Sequence, residues 1–263
     1  MKSDIGTVVL PAIALGISLV GLPDVDAFFE GLVWLLLHLL AFDTRNQIIG
    51  LEEDRLSKPN RPIAAGRISL RAAQILNVAF IGMSLLDSAR HGLLVQSVIY
   101  QVCAAAYNDW DLARYWVTKS GMICIGLGIW CWGTVVCFDH GRPLSPTSVN
   151  ALLITALLLA TTVHAQDFRD VDGDAAIGRR TLPMVLSPAF GRWSLAALLV
   201  GWSAVLVRFW LLPAGVAALL YILAAVTSVA FVRSKSSEGD KDACWWYNAW
   251  FTACLTLPLF HRL

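Results

Sequence analysis

Residues 27–54 read AFFEGLVWLLLHLLAFDTRNQIIGLEED, an apolar run that passes into carboxylates without a spacer. Its apolar part is long enough to cross a hydrocarbon core of about 30 Å as a helix. Acids at such a boundary are expensive to hold together unless a cation neutralises them. The arrangement returns downstream, where an apolar segment over 148–165 runs into DFRDVDGD at 167–174. Two acid clusters, each at the end of a span, read as a divalent-metal site facing one membrane surface.

Composition points the same way. Of 263 residues, 57% are apolar and 15% charged, and the mean hydropathy is +0.64; a soluble chain of this length carries more charge and shorter apolar runs. The sequence therefore predicts an all-α polytopic membrane protein. Apolar segments fall at 5–21, 27–49, 71–87, 92–108, 118–138, 148–165, 192–211, 213–232 and 243–260, separated by polar or Pro- and Gly-bearing breaks. The expectation is about nine transmembrane helices in one bundle around a central cavity, with residues 1–263 forming a single domain. Several segments are shorter than about 20 residues, so the pattern also admits eight crossings.

Of the 20 Lys and Arg, only Arg90, Arg142, Arg208 and Arg262 fall on the far side of this topology. The remainder, from Lys2 to Lys241, accompany the two acidic motifs, which places both motifs at the cytoplasmic face. Lys2 before the first apolar run also suits a signal peptide, but no small-residue cleavage site follows it. The net charge of +1 argues against a nucleic-acid partner. Six cysteines, all within spans and without metal-ligand spacing, read as free thiols. Oligomeric state is not legible.

In the first motif Asn46 and Glu53 are seven residues apart, two helical turns, with Asp54 adjacent. Lys58, Arg61, Pro62 and Arg67 follow as a stiff basic loop. Acids and then bases in this order suit a magnesium-bridged diphosphate, carboxylates holding the metal and Lys or Arg the phosphate oxygens. In the second, Asp167, Asp170 and Asp174 are spaced by three and four and share a helical face, followed by Arg179, Arg180 and Pro183. The acid-then-base pattern recurs four helices apart, which suggests an internal repeat around a shared cavity. The alternative is a pair of solvated loops with fortuitous charge.

With these residues the chain resembles the UbiA superfamily of intramembrane prenyltransferases, and within it the fungal terpene-cyclising branch. The likeness covers nearly the whole chain and is carried by Asn46 through Asp54 with Lys58, Arg61 and Pro62, and by Asp167, Asp170, Gly173 and Asp174 with Gly178, Thr181, Leu182 and Pro183. It implies nine transmembrane helices around a cavity whose Asp-rich motifs bind Mg2+ and a prenyl diphosphate. The first motif departs from the common Asn-Asp-x-x-Asp-x-x-x-Asp form, because Gln47 and Gly50 stand where the first two acids would be. Metal binding is then expected to lean on Glu53, Asp54, Asp167, Asp170 and Asp174. The resemblance also implies a diphosphate-contacting Lys119, with Arg114 the alternative on the same loop, and a membrane of the endoplasmic reticulum.

Helical phase nominates Trp34, His38 and Phe42, four residues apart in series before Asn46, as cavity lining. Trp130, three turns from Lys119, joins them, as do Tyr107, Trp246 and Tyr247. Each aromatic alone reads equally as packing or interfacial belt. His38 is either a core histidine or the acceptor of a terminating proton. The implied activity is ionisation of farnesyl or geranylgeranyl diphosphate followed by cyclisation of the carbocation. A UbiA-type transfer of the prenyl chain to an aromatic or other acceptor is the second reading and a transporter the third; charge gathered at one surface rather than at the midplane speaks against transport.

Overall fold

The computed structural model describes residues 4–262, so Lys2 lies outside the described residues. Helices account for the architecture: α1 (Ile5–Val20), α2 (Val25–Ile49), α3 (Leu51–Ser57), α4 (Leu70–Arg90), α5 (Leu94–Asn108), α6 (Trp116–Phe138), α7 (Pro146–Thr162), α8 (Val171–Ala176), α9 (Leu182–Val185), α10 (Pro188–Phe209), α11 (Ala214–Arg233), α12 (Ser237–Thr256) and α13 (Pro258–Arg262). The starts follow local chemistry. Asp24 accepts from the Ala27 amide at 2.9 Å, and Ser69, Ser145, Ser187 and Ser236 cap α4, α7, α10 and α12 in the same way. Pro146 and Pro188 then occupy first-turn positions where a missing N–H costs nothing.

Each predicted segment falls on a helix, but by length and composition six segments among the described residues can cross a membrane: 25–49, 70–90, 116–138, 146–176, 188–209 and 214–233. The protein is an integral membrane protein. The other three long helices fall short for identifiable reasons. α5 has 15 residues, about 22 Å at 1.5 Å per residue; α1 is also short; and the first turns of α12 carry Glu238, Asp240, Lys241 and Asp242.

Lipid tails are as apolar as leucine, so helices in a bilayer associate through close packing and interhelical hydrogen bonds rather than by expelling water. Both devices are present. A Cβ on Gly133 of α6 would lie 2.3 Å from the Trp34 indole of α2, so the glycine is what lets the two helices meet. The indole Nε1 donates to Ser88 Oγ on α4 at 2.8 Å. Asn77 of α4 donates to the Ala41 carbonyl of α2 at 2.7 Å, and Trp250 of α12 to Ser203 of α10 at 3.1 Å. α6 is the central element, packing on α1, α2, α5 and α7, while α12 joins α1 to α11. Exposed Val, Ile and Leu such as Ile75, Val78, Leu153, Leu157, Leu219 and Ile222 face outward, where a hydrocarbon solvent suits them.

Candidate active site

On the side where α2, α5, α7 and α11 end, the bundle opens into a cavity of about 1160 Å³. Its walls come from α1, α2, α4, α5, α6, α7, the 163–174 segment and α12. The α10–α11 hairpin contributes nothing to it among the described residues and packs outside, on α12. The expected ring of nine helices around one chamber is therefore corrected.

The mouth carries both acidic motifs. α2 ends at Gly50, and α3 restarts the chain with Glu52, Glu53 and Asp54 in its first turn, where helix dipoles favour negative charge. The seven-residue spacing from Asn46 to Glu53 thus spans a helix break, although both residues line the cavity. Asp54 is buried and both its oxygens accept from Arg61 Nη1, at 2.8 and 3.0 Å. The second motif is not one continuous helix either. A 3₁₀ turn (Asp167–Asp170) leads into α8, which carries Asp174.

Lys119, in the first turn of α6 and 7% exposed, donates to Asp167 Oδ1 at 2.7 Å and to Asp174 Oδ2 at 3.0 Å. Arg179 Nη1 lies 3.2 Å from Asp174 Oδ1 and 3.7 Å from Glu53 Oε2. A continuous ionic chain therefore runs Glu53, Arg179, Asp174, Lys119, Asp167, and it joins the two motifs. Burial works against the Arg179 charge, but Tyr107, Glu53 and Asp174 outweigh it and hold its pKa above the ordinary guanidinium range. Asp170, more exposed, pairs with Arg169 at 3.3 Å. At the rim Arg45 pairs with Asp109, tying the end of α2 to the end of α5.

All five acids expected to hold metal line this cavity, and each has a cationic partner. Among the described residues, no three His, Cys, Asp or Glu side chains converge as a ready metal cluster. The donor chemistry nevertheless suits a hard divalent cation, since carboxylate and amide oxygens surround the mouth. Gln47 adds to this set: its Oε1 is buried at the cavity wall with no hydrogen-bond donor. An orphaned buried carbonyl of this kind is costly unless a ligand satisfies it.

Below the charged mouth the walls turn aromatic. Phe42 meets Tyr107 edge-on at 5.5 Å and Trp130 at 6.5 Å, and Trp130 meets Tyr100 at 5.3 Å. Phe80 and Phe251 complete the lining. Tyr100 was missed in the sequence, although it stands two helical turns before Tyr107 and so on nearly the same face. Phe80 and Phe251 have no comparable signal.

Five nominated residues lie elsewhere. A step of four residues overshoots one helical turn by about 40°, so His38 and Trp34 rotate progressively off the face that Phe42 shares with Asn46. Trp34 is fully buried against Gly133. His38 is a core histidine: Nδ1 lies 2.7 Å from the Trp34 carbonyl, which requires a proton there, leaving Nε2 to accept from Ser97 Oγ at 2.7 Å. Tyr247 is buried and pins its helix to α7 through Thr162, at 2.9 Å. Trp246 is partly exposed and stacks edge-on with Trp245. Arg180 is bridged through its backbone to Tyr115, outside any helix, and lines a separate groove with Arg114, Tyr115, Arg179 and Met184 but not the main cavity. Lys58, Arg61, Lys119 and Arg179 all reach the main cavity.

A bundle in lipid that closes an acid- and base-lined mouth over an aromatic chamber defines a membrane enzyme for an apolar molecule with an anionic head. The chain belongs to the UbiA prenyltransferase family, whose model matches residues 8–253. Over 263 residues it is 35% identical to fumagillin beta-trans-bergamotene synthase from Aspergillus fumigatus, covering 100% of this chain and 91% of that one. It is also 32% identical over 165 residues to a polyprenyl transferase from Hericium erinaceus, covering 61% of this chain and 55% of that protein. Its fold is that of a UbiA homolog from Archaeoglobus fulgidus bound to DMAPP and Mg2+, with a TM-score of 0.70, 14% identity, and coverage of 98% of this chain and 96% of that one.

Proposed function

We propose that this protein is a magnesium-dependent class I terpene cyclase that ionises farnesyl or geranylgeranyl diphosphate and cyclises the resulting carbocation within the membrane. The observation that carries the reading is the ionic chain from Glu53 to Asp167 lying across the mouth of an aromatic chamber. A relative matched along the whole of this chain is a terpene synthase by name, which supports the same reading.

The roles follow from position. Arg61, Lys119 and Arg179 each neutralise a carboxylate, and each is also suited to phosphate oxygens. An entering diphosphate exchanges partners with them, which frees Glu53, Asp54, Asp167 and Asp174 to join the more exposed Asp170, with Gln47 beside them, as oxygen ligands for Mg2+. Magnesium, when bound, supplies positive charge against the developing charge of the leaving diphosphate. Lys58 lines the same mouth, has no carboxylate partner among the described residues, and adds a further donor. Below, Phe42, Tyr100, Tyr107 and Trp130 exclude water and present ring faces to the cation, each worth about 0.5–2 kcal/mol. The substrate's own double bonds then attack it, and loss of a proton or capture of water converts the last carbocation to the neutral product while diphosphate leaves. Nine crossings, one domain and motifs facing the cytoplasm of an endoplasmic reticulum membrane complete the proposal, supported by basic residues gathered at the motif side.

The test is incubation of detergent-purified protein with Mg2+ and each prenyl diphosphate, followed by gas chromatography and a diphosphate assay. A terpene product with diphosphate release and no added acceptor is expected. Release that requires an acceptor moves the protein to prenyl transfer, the reading favoured by its likeness to the Hericium transferase. No release with any prenyl diphosphate rejects both.

A further inference from the structure

Behind the cavity wall, one guanidinium draws four chain segments together. Arg192, in the second turn of α10, donates through Nη1 to Asp240 Oδ1 at 2.6 Å and through Nη2 to Oδ2 at 2.9 Å, a bidentate pair with the first turn of α12. Nη1 also donates to the Phe231 carbonyl at 2.9 Å. That carbonyl belongs to the last turn of α11, where helix acceptors have no intrahelical donor. The flat of the guanidinium lies 4.6 Å from the centre of the Phe168 ring.

Phe168 is the residue between Asp167 and Arg169, at the heart of the second acidic motif. Its ring is buried, meets Phe231 at 5.6 Å with the planes tilted by 51°, and rests on Gly191, where a Cβ would approach within 3.3 Å. The motif here is a 3₁₀ turn rather than a continuing helix, so α7 does not impose the directions of its carboxylates. Something else must hold the turn, and α12 packs directly on it.

We propose that Arg192, locked by Asp240, is a positioning residue: it clamps the Phe168 ring and thereby aims Asp167 and Asp170 into the cavity. This rests on the cyclase reading only for its consequence in catalysis; the clamp itself is a statement about the turn. Neither Arg192 nor Phe168 lines the cavity, so neither touches substrate. The α10–α11 hairpin, absent from the cavity wall, then acts on the site from outside.

The test compares wild type with Phe168→Leu, Arg192→Lys and Arg192→Met. Phe168→Leu is decisive because it leaves the Arg192–Asp240 pair intact and keeps an apolar side chain in place, so it folds even if Arg192→Met does not. The first readout is hydrogen–deuterium exchange over 163–176 in metal-free protein. Exchange there is expected to be about tenfold faster in Phe168→Leu, as suits loss of a desolvated cation–ring contact, with α10 and α12 unchanged. The second is the Mg2+ concentration giving half-maximal turnover, expected to rise about 10- to 100-fold, the usual effect of removing a partner that orients metal ligands. Arg192→Lys keeps the charge but loses the flat face, and falls between. Wild-type exchange over 163–176 and an unchanged Mg2+ requirement in Phe168→Leu would overturn the proposal. Exchange needs no substrate, so a wild-type protein inert toward prenyl diphosphates rejects the cyclase reading while the clamp is still tested.

Discussion

Lys119→Met puts the ionic chain to its hardest trial. The Lys119 ammonium sits between Asp167 at 2.7 Å and Asp174 at 3.0 Å, and the three side chains are 9%, 7% and 4% exposed. Methionine preserves the length and apolar stem but removes the charge. Asp174 retains Arg179 at 3.2 Å; Asp167 is left without a cation within reach. Removing one partner of a buried pair costs about 3–5 kcal/mol, because the other charge stays desolvated. For a chain of this size that corresponds to a fall in melting temperature on the order of 10 °C. Circular dichroism melts in one detergent at fixed pH measure it. Adding Asp167→Asn removes the stranded charge, so the double variant should recover about 0.5–3 kcal/mol of the loss, the range found for directly contacting pairs. If Lys119→Met melts with wild type, or the double variant is additive, the two aspartates are not held by this lysine and the chain between the motifs is broken.

Asp54→Ala should lower turnover at least about 100-fold, the scale for removing one group that stabilises transition-state charge, while the melt moves little because the one-third exposed Arg61 relaxes into water. His38→Leu should leave turnover and product pattern unchanged but destabilise by about 1–3 kcal/mol, since the buried Ser97 hydroxyl loses its acceptor and the ring's bond to the Trp34 carbonyl is lost; altered products would return His38 to the cavity. Gly133→Ala should cost about 1–3 kcal/mol or prevent folding, because a methyl 2.3 Å from the Trp34 ring cannot be housed without moving α2 or α6; a wild-type melt would refute that packing. Trp130→Leu should fold and still release diphosphate, yet change the product mixture by gas chromatography, as the ring bridges Phe42 and Tyr100 in the chamber.

The helical bundle was legible because apolar runs of span length carry their own signal; the starts expected at 71, 148 and 192 fall late, because the serine caps Ser69, Ser145 and Ser187 begin the helices ahead of the apolar runs. Crossing count was less so. α5 and α12 carry the site's own polar residues or are cut short by it, and hydropathy cannot separate a functional acid from a helix end. Which helices face the chamber was legible only in part: Phe42, Tyr107 and Trp130 placed α2, α5 and α6 there, but the exclusion of the α10–α11 hairpin had no signal. That follows from the order of packing around α6, set by close approaches such as Gly133 to Trp34, which leave no mark in composition.

At the site, the acids and most of the bases were readable from spacing because their residue types are so costly in a membrane. The aromatic lining failed where phase was carried too far. Phe42, one step from Asn46, holds its place; His38 and Trp34, two and three steps away, do not. Arg179 reaches the main cavity and its neighbour Arg180 does not, because Arg180 is bridged to Tyr115 outside any helix, an arrangement that no helical template supplies. Arg192 was beyond reach for a different reason. Its partners lie 24, 39 and 48 residues away at Phe168, Phe231 and Asp240, and a single arginine at a helix start looks like every other arginine on the basic side. A residue that acts by holding the shape of a motif carries no motif of its own. The outer hairpin, silent in the sequence, thereby becomes the part of the bundle that fixes how the second acidic turn meets its substrate.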